Sequence, residues 1–177
     1  DALILTKPLG VGLVLAGRMV GRSSPSAVQA TLDHCQQDNR AAADVLSEFT
    51  IGLCTDVTGF GLLGHLQTSL GKDQGASLVA AAVPLIDGAR QAFLDGVRPS
   101  ILESNQRATR SARAGSMPED LSALLHDPQT SGGLLFSIDA SQAQSVLAQL
   151  HAAGYSEATQ IGTITDTGSI EVSQPWA

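Results

Sequence analysis

The chain has 177 residues, of which 43% are apolar and 15% charged, and its formal charge at pH 7 is −7. No cluster of Lys and Arg offsets this acidic balance, which argues against a nucleic-acid partner, since such a partner requires a basic face. No apolar run reaches about 18 residues, so a membrane partner is not expected either. The length suits a single globular domain over residues 1–177, which we expect in the cytoplasm.

The predicted elements begin with a strand over residues 2–5 and a glycine-rich turn that continues to residue 15. Ser24 and Pro25 then form a helix start, because serine caps helices and proline suits their first turn. Helical composition follows over two segments, residues 27–32 and 39–49.

The middle of the chain continues the alternation of strands and helices. Residues 51–54 predict a short buried strand, and residues 61–70 predict a helix with leucines on one side and Gly71 at its end. A strand over residues 77–80 and a helix through Ala89 and Phe93 are expected next.

Residues 96–118 are rich in Ser, Arg, Gly and Pro, and we interpret them mostly as a loop. The last third predicts a strand, a helix with a capping box at Ser141 and Gln144, and two further strands. These three strands are expected over residues 132–138, 160–165 and 170–173, the last two joined by a turn. The mixed order of elements predicts an α+β fold rather than a doubly wound parallel sheet.

The residue types that build reactive sites are scattered. The spacing of Cys35 and Cys54 fits neither a CxxC motif nor metal ligation, so free, buried thiols are expected. Three arginines spaced by three residues, Arg107, Arg110 and Arg113, are interpreted as a solvated face rather than an anion site.

The most informative stretch is CTDVTGFGLLGHL over residues 54–66. Its glycines satisfy the G-x-G-x-x-G pattern of dinucleotide-binding proteins. However, Asp56 and Thr58 stand where that pattern requires an apolar strand, so we do not favour a dinucleotide site.

A different ligand suits the same turn better. Backbone N–H groups at the start of the helix would face an anion, which makes Thr58, Gly59 and Gly61 candidates for the vicinity of nucleotide phosphates. Asp56 would add a carboxylate oxygen, the type of ligand that Mg²⁺ prefers. The alternative is that Asp56 only caps the helix, and this segment by itself leaves both interpretations open.

Two further stretches attract attention. In DPQTSGGLLF, residues 127–136, two adjacent glycines permit close backbone approach, and Ser131 has no triad-like partners, so we predict a structural turn that presents a strand. In LTKPLGVG, residues 5–12, Lys7 stands at a strand end and is interpreted as solvated surface rather than a phosphate ligand.

Together these stretches resemble a known family. Three segments, residues 5–12, 55–66 and 127–135, resemble signature segments of selenophosphate synthetases (selenide, water dikinases) in order and separation. A weaker likeness covers residues 96–107, including Ser100 and Asn105. The DVTGFG element is shared more widely, with aminoimidazole ribonucleotide synthetase and related ATP-using proteins.

The resemblance implies a fold, a reaction and a partner domain. The fold would be a three-layer α/β/α mixed sheet, partly ferredoxin-like, and the reaction would convert ATP, selenide and water into selenophosphate, AMP and phosphate with Mg²⁺. Residues 1–177 would be the C-terminal half of a two-domain protein, with Asp56 as one metal ligand.

The family's N-terminal domain supplies the nucleophile, a lysine in a glycine-rich loop, most metal ligands and most of a homodimer contact. The resemblance therefore implies no catalytic residue in this chain, and neither Cys35 nor Cys54 is expected to replace the nucleophile. Two alternatives remain: a sister ATP-using domain, such as a hydrogenase-maturation or thiamine-phosphate kinase protein, and a stand-alone module that binds a nucleotide or a protein.

Overall fold

The computed structural model describes residues 1–110 and 115–173, which build one six-stranded sheet. The strands are Ala2–Leu5 (β1), Ile51–Asp56 (β2), Gly75–Val79 (β3), Leu134–Ile138 (β4), Thr159–Thr165 (β5) and Ile170–Ser173 (β6). The helices are Val11–Met19 (α1), Pro25–Gln36 (α2), Arg40–Leu46 (α3), Gly61–Ser69 (α4), Ala89–Leu94 (α5), Leu102–Ala108 (α6), Glu119–Leu125 (α7) and Ala143–Ala152 (α8).

The strand order is β2-β4-β1-β5-β3-β6, and β1 lies at the centre between β4 and β5. Neighbouring strands are antiparallel except β3 and β6, which pair in parallel. The last two strands are present where the sequence predicts them, but β3 lies between them in the sheet. The mixed sheet confirms the predicted α+β fold class.

Helices cover both faces of the sheet, because the side chains of β1 alternate between them. Leu3 and Leu5 are buried on one face with the leucines of α4 and α7. Ala2 and Ile4 are buried on the other face with apolar residues of α3 and α8. Each fully buried leucine or isoleucine stabilises the fold by roughly 1.5–3 kcal/mol. Helices on both faces of the sheet give the predicted three-layer α/β/α arrangement.

Helices occur within two segments that we predicted as turn or loop. Residues 5–15 do not form one long turn, because α1 begins at Val11 and buries its apolar face in a cluster with α5. Among the described positions of residues 96–118 most are irregular, as predicted, but the segment contains α6, which buries Leu102 and Asn105. On α6, Arg107 forms an ion pair with Glu103 at the surface, and Arg113 lies outside the described residues.

The helix caps, strand β2 and the two cysteines confirm some predictions and contradict others. Ser24 caps α2 as predicted, accepting the N–H of Ala27 at 3.1 Å. The predicted capping box at residue 141 is absent, since Asp139 accepts the Ser141 N–H instead. Strand β2 is an edge strand of which one face is exposed, so it is not buried. The two thiols are free but not buried: Cys54 is exposed and Cys35 is half-buried.

Candidate functional site

The turn after β2 carries the predicted metal ligand at a free sheet edge. Asp56 is the last residue of β2 and is exposed, and its carboxylate accepts none of the hydrogen bonds recorded among residues 1–110 and 115–173. Helix α4 starts at Gly61 with Phe60 at its N-cap position, and no side chain caps it. The capping role considered for Asp56 is therefore not observed, and its carboxylate faces solvent.

His65 holds the same turn from the side of α4. Its Nε2 lies 3.1 Å from the backbone N of Thr58 and 3.1 Å from the Thr58 hydroxyl. Burial lowers the pKa of His65, and the nearby Asp56 carboxylate partly offsets that effect. A neutral ring is consistent with accepting a backbone N–H. Sequence analysis did not single out this histidine, because only the folded turn brings residues 58 and 65 together.

The glycines of the turn have distinct roles. Gly61 has a φ of +71°, and a Cβ there would lie 2.6 Å from the His126 carbonyl carbon, so only glycine fits. Its N–H donates to the Thr58 carbonyl at 3.0 Å. The N–H groups of Thr58 and Gly61 are thus engaged within the protein, whereas a Cβ at Gly59 would meet no atom within 4 Å. Of the three predicted phosphate neighbours, Gly59 has the most accessible backbone.

The DPQTSGG segment packs directly against this turn. The Val57 N–H donates to the Gly133 carbonyl at 2.9 Å, and the Gln129 N–H donates to the Thr58 carbonyl at 3.0 Å. A Cβ at Gly132 would lie 1.9 Å from the Val57 carbonyl oxygen, so the predicted close backbone approach is confirmed. The segment supports the turn from beneath.

The same segment also caps α1. The Asp127 carboxylate accepts the Gly12 N–H at 2.9 Å, while the Gln129 side-chain oxygen accepts the N–H groups of Gly10 and Val11 at 3.2 and 3.3 Å. Burial raises the pKa of Asp127 to about 7, although hydrogen bonds from Gln129 and from the α1 backbone oppose that shift. The first and third signature segments are therefore joined by side chain–backbone hydrogen bonds.

Lys7 is buried, which overturns the prediction of a solvated side chain: it is 1% exposed. Its ammonium donates to the carbonyls of His34 at 3.3 Å and Gln37 at 2.7 Å, and to that of Ser131. Burial lowers the pKa of Lys7, against the smaller opposing effects of Cys35 and Asp38. Because all three N–H groups of the ammonium donate to backbone carbonyls, Lys7 holds α2 and the Ser131 segment together and is not a phosphate ligand here.

Asn105 links α6 to the site. Its side-chain NH₂ donates to the carbonyl oxygens of Gly59 at 2.8 Å and His126 at 3.0 Å. The weak likeness over residues 96–107 thus corresponds to a real support of the turn. The periodicity of that polar segment did not indicate the helix that carries it.

The remaining features set limits on the chemistry. Within the described ranges, no three His, Cys, Asp or Glu side chains cluster as metal ligands. Partial desolvation by the surrounding protein raises the pKa of both thiols, and the Asp56 charge adds to the effect at Cys54, so neither shows the depressed pKa of a nucleophilic cysteine. A cavity of about 740 Å³ between α1 and residues 96–100 is lined by none of the predicted site residues. None of the described helices is long and apolar enough to span a bilayer.

Comparison with known proteins places these features in a family. The chain matches the family described as AIR synthase related protein, C-terminal domain, over residues 1–174. It is similar to the selenide, water dikinase of Agathobacter rectalis, with 38% identity over 156 residues that cover 87% of this chain and 46% of the relative. The selenide, water dikinase of Carboxydothermus hydrogenoformans is 34% identical over 180 residues, covering 98% of this chain and 51% of the relative. The chain thus spans about half the length of these curated relatives.

Solved structures share the fold at lower identity. The hydrogenase maturation protein HypE gives a TM-score of 0.66 at 18% identity, over 96% of this chain and 48% of its own. Thiamine-monophosphate kinase from Stenotrophomonas maltophilia gives 0.62 at 18% identity, over 100% of this chain and 51% of its own. Likeness at this level of identity establishes the architecture and leaves the reaction undetermined.

Proposed function

Because the chain belongs to the AIR synthase related protein family as its C-terminal domain, we propose that it forms one half of a selenophosphate synthetase (selenide, water dikinase). The observation that carries this proposal is that residues 127–135 form hydrogen bonds both with residues 5–12 and with residues 55–66, so that the three signature segments form one connected unit. The complete protein would convert ATP, selenide and water into selenophosphate, AMP and phosphate.

In this proposal Asp56 contributes one ligand to a Mg²⁺ site. The exposed carboxylate at the end of β2 has no competing hydrogen bond among the described residues, and one carboxylate is a normal share of a Mg²⁺ site that also uses water and phosphate oxygens. When bound, the ion would neutralise phosphate charge. The open backbone at Gly59 would lie beside the phosphates, with Thr58 and Gly61 shaping the turn rather than donating their N–H groups.

The length of the relatives suggests a partner domain. The two selenide, water dikinases are about twice as long as this chain. The proposed partner is therefore an N-terminal domain that binds ATP and selenide and carries the catalytic residues. We propose that the complete protein is a cytoplasmic homodimer and that these 177 residues alone turn over no substrate.

Sister ATP-using enzymes are a weaker alternative. Identity to the two selenide, water dikinases is 38% and 34%, against 18% for HypE and for thiamine-monophosphate kinase. A stand-alone binding module stays an untested prediction.

The decisive experiment is anaerobic phosphorus NMR with Mg²⁺, ATP and selenide. The chain is measured alone, the separately produced N-terminal domain of a matching protein is measured alone, and then both are mixed. Selenophosphate from the mixture but from neither part would support the proposal. Product from the chain alone would overturn the assignment of catalysis to the other domain, and ATP turnover in the mixture without selenophosphate would favour a sister enzyme.

A further inference from the structure

The cavity of about 740 Å³ between α1 and residues 96–100 lies outside the metal and phosphate positions proposed above, and we call it the α1 groove. Its apolar lining comprises Leu15, Ala16, Met19 and Val20 on the α1 side, with Val97 and Pro99 on the other. Its volume falls in the range of about 300–1,000 Å³ that is usual for ligand sites, so the surroundings must decide what occupies it.

Exposed apolar side chains concentrate around this groove. The large ones among residues 1–110 and 115–173 are Met19, Val20, Leu32, Phe60, Val79, Leu94 and Ile101. Met19 and Val20 line the groove and are 88% and 63% exposed, and Leu94 and Ile101 closely flank residues 96–100 in the sequence. A small ligand inside the groove would leave the outer side chains in water, whereas a docked protein domain would cover them together.

Among the described residues, the charged side chains that line the groove are both basic, although the whole chain carries a formal charge of −7. Arg22 donates to the Asp95 carbonyl, and Arg98 donates to two backbone carbonyls at 2.8 Å, so both guanidinium groups are held in place. The Glu119 carboxylate lies 3.7 Å from Arg98 but is mostly exposed, so it offsets that charge only weakly. An occupant that complements the groove therefore brings carboxylates beside apolar side chains.

A second copy of this chain does not meet that requirement. A contact between two identical subunits usually brings the same surface patch of each together, so the basic groove would face itself. Like charges that meet across an interface cost free energy. The occupant is thus expected to be a different domain.

Both sides of the groove lead to the proposed metal-binding turn. Pro128 lines the groove, and the N–H of the next residue, Gln129, donates to the Thr58 carbonyl at 3.0 Å. On the other side, residues 96–100 continue toward α6, whose Asn105 donates to a carbonyl of the same turn at 2.8 Å. A domain docked in the groove would therefore lie next to the segments that support this turn.

We propose that the α1 groove is the surface on which the N-terminal half of the complete protein docks, through a segment that presents apolar side chains flanked by carboxylates. The inference rests on the proposed function for the existence of that half. The length of the relatives supports it, since this chain covers 46% and 51% of the two selenide, water dikinases. Docking would bury Met19 and Val20 and place acidic groups beside Arg22 and Arg98.

The first test follows the exposure of residue 19 in the isolated chain and in the complete two-domain protein. Met19→Cys is labelled with a polar maleimide, and peptide mass spectrometry separates its labelling from that of Cys35 and Cys54. Leu32→Cys is the matched control, because Leu32 is an exposed apolar residue of α2 that does not line the groove. Labelling at residue 19 should slow by about tenfold or more in the complete protein, whereas residue 32 should react equally in both.

Two outcomes of this labelling would contradict the proposal. Equal rates at residue 19 in the two proteins would show that the groove stays open. Protection of residue 19 that appears in the isolated chain as its concentration rises would identify a second copy as the occupant.

The second test compares melting temperatures of Met19→Glu and Leu32→Glu in the same two proteins. In the isolated chain neither exposed position should matter much. In the complete protein Met19→Glu should lower the melting temperature by about 2–4 °C or more, because a charge then enters a covered apolar contact, while Leu32→Glu should not. Arg22→Glu should likewise act mainly in the complete protein, with Lys72→Glu as its exposed control. Shifts of equal size in both proteins would overturn the docking role.

Failure of the proposed function would look different from failure of this inference. Phosphorus NMR of the complete protein with Mg²⁺, ATP and selenide would then show no selenophosphate, while residue 19 would remain protected. The labelling measures the contact between domains and does not depend on the reaction.

Discussion

The carboxylate of Asp127 accepts the N–H of Gly12 at 2.9 Å, from a position 115 residues further along the chain. Helix α1 has no side-chain cap from its own N-cap residue, Gly10, so the DPQ segment supplies the missing acceptors. An N-terminal helical N–H without an acceptor is costly when buried. This contact explains physically why the first and third signature segments belong together.

Replacing Asp127 should destabilise the whole domain. Asp127→Ala removes the acceptor of the half-buried Gly12 N–H and should lower the free energy of unfolding by about 1–3 kcal/mol, measured by urea denaturation. Asp33→Ala is the control, because Asp33 is exposed on α2 and contacts only Gln29 among its recorded hydrogen bonds. Equal effects of the two substitutions would contradict the capping role.

The stability contributed by Asp127 should depend on pH. Its pKa rises from the ordinary 3.8 to about 7 in the folded protein, so the folded state binds more protons between those values. The contribution of Asp127 should therefore be complete below about pH 4 and be lost as pH rises through about 7.

The measurement is the difference in unfolding free energy between wild type and Asp127→Asn, which should fall as pH rises across this window. Taking the difference matters because His34 acts in the opposite direction: burial, with a smaller effect of the Lys7 charge, lowers its pKa from 6.5 to about 4. A difference that grows with pH would show that the Asp127 carboxylate is charged throughout.

Lys7→Met should weaken the junction between β1, α2 and the Ser131 segment. The substitution leaves three carbonyl oxygens without their donor, and we expect a loss on the order of 3 kcal/mol in unfolding free energy. Lys72→Met, at an exposed position, should have little effect on the same urea curve. Similar midpoints for both variants would restore the interpretation of Lys7 as surface.

Gly61→Ala should be far more damaging than Gly168→Ala. Both glycines have a similar positive φ, +71° and +66°, but a Cβ at Gly61 meets the His126 backbone whereas one at Gly168 meets nothing within 4 Å. Gly168→Ala should therefore cost only about 1–2 kcal/mol, the penalty of the left-handed backbone. Comparing the melting temperatures of the two variants measures the cost of the clash between a Cβ at residue 61 and the His126 backbone. Equal melting temperatures would show that the turn relaxes to accommodate the Cβ without loss of stability.

Asp56→Asn should leave stability unchanged and reduce function. The side chain is exposed and supports no other residue through a recorded hydrogen bond, so the unfolding midpoint should match wild type. In reconstituted protein, turnover should demand more Mg²⁺, whereas Asp73→Asn, at another exposed position, should behave as wild type. Normal turnover of Asp56→Asn at limiting Mg²⁺ would contradict the assignment of Asp56 as a metal ligand.

The sequence by itself determined the α+β class and the approximate position of all six strands, because apolar runs and turn residues act locally. It also identified the turn that carries Asp56, since a polar interruption before a glycine-rich helix start is visible in a few residues. Gly132 and Gly133 were likewise predictable as points of close backbone approach, and both meet backbone atoms as expected.

Tertiary structure decided what each motif does. The residues next to Lys7 in the sequence predict a solvated side chain. In the fold its ammonium is buried because the carbonyl oxygens of His34, Gln37 and Ser131 surround it. Helix α1 lacks a local cap and forms because Asp127 provides one from a distant segment. His65 acquires a partner only when α4 folds back beside Thr58. Hydrogen-bond partners that are remote in sequence leave no periodic signal, so only the folded chain could assign them.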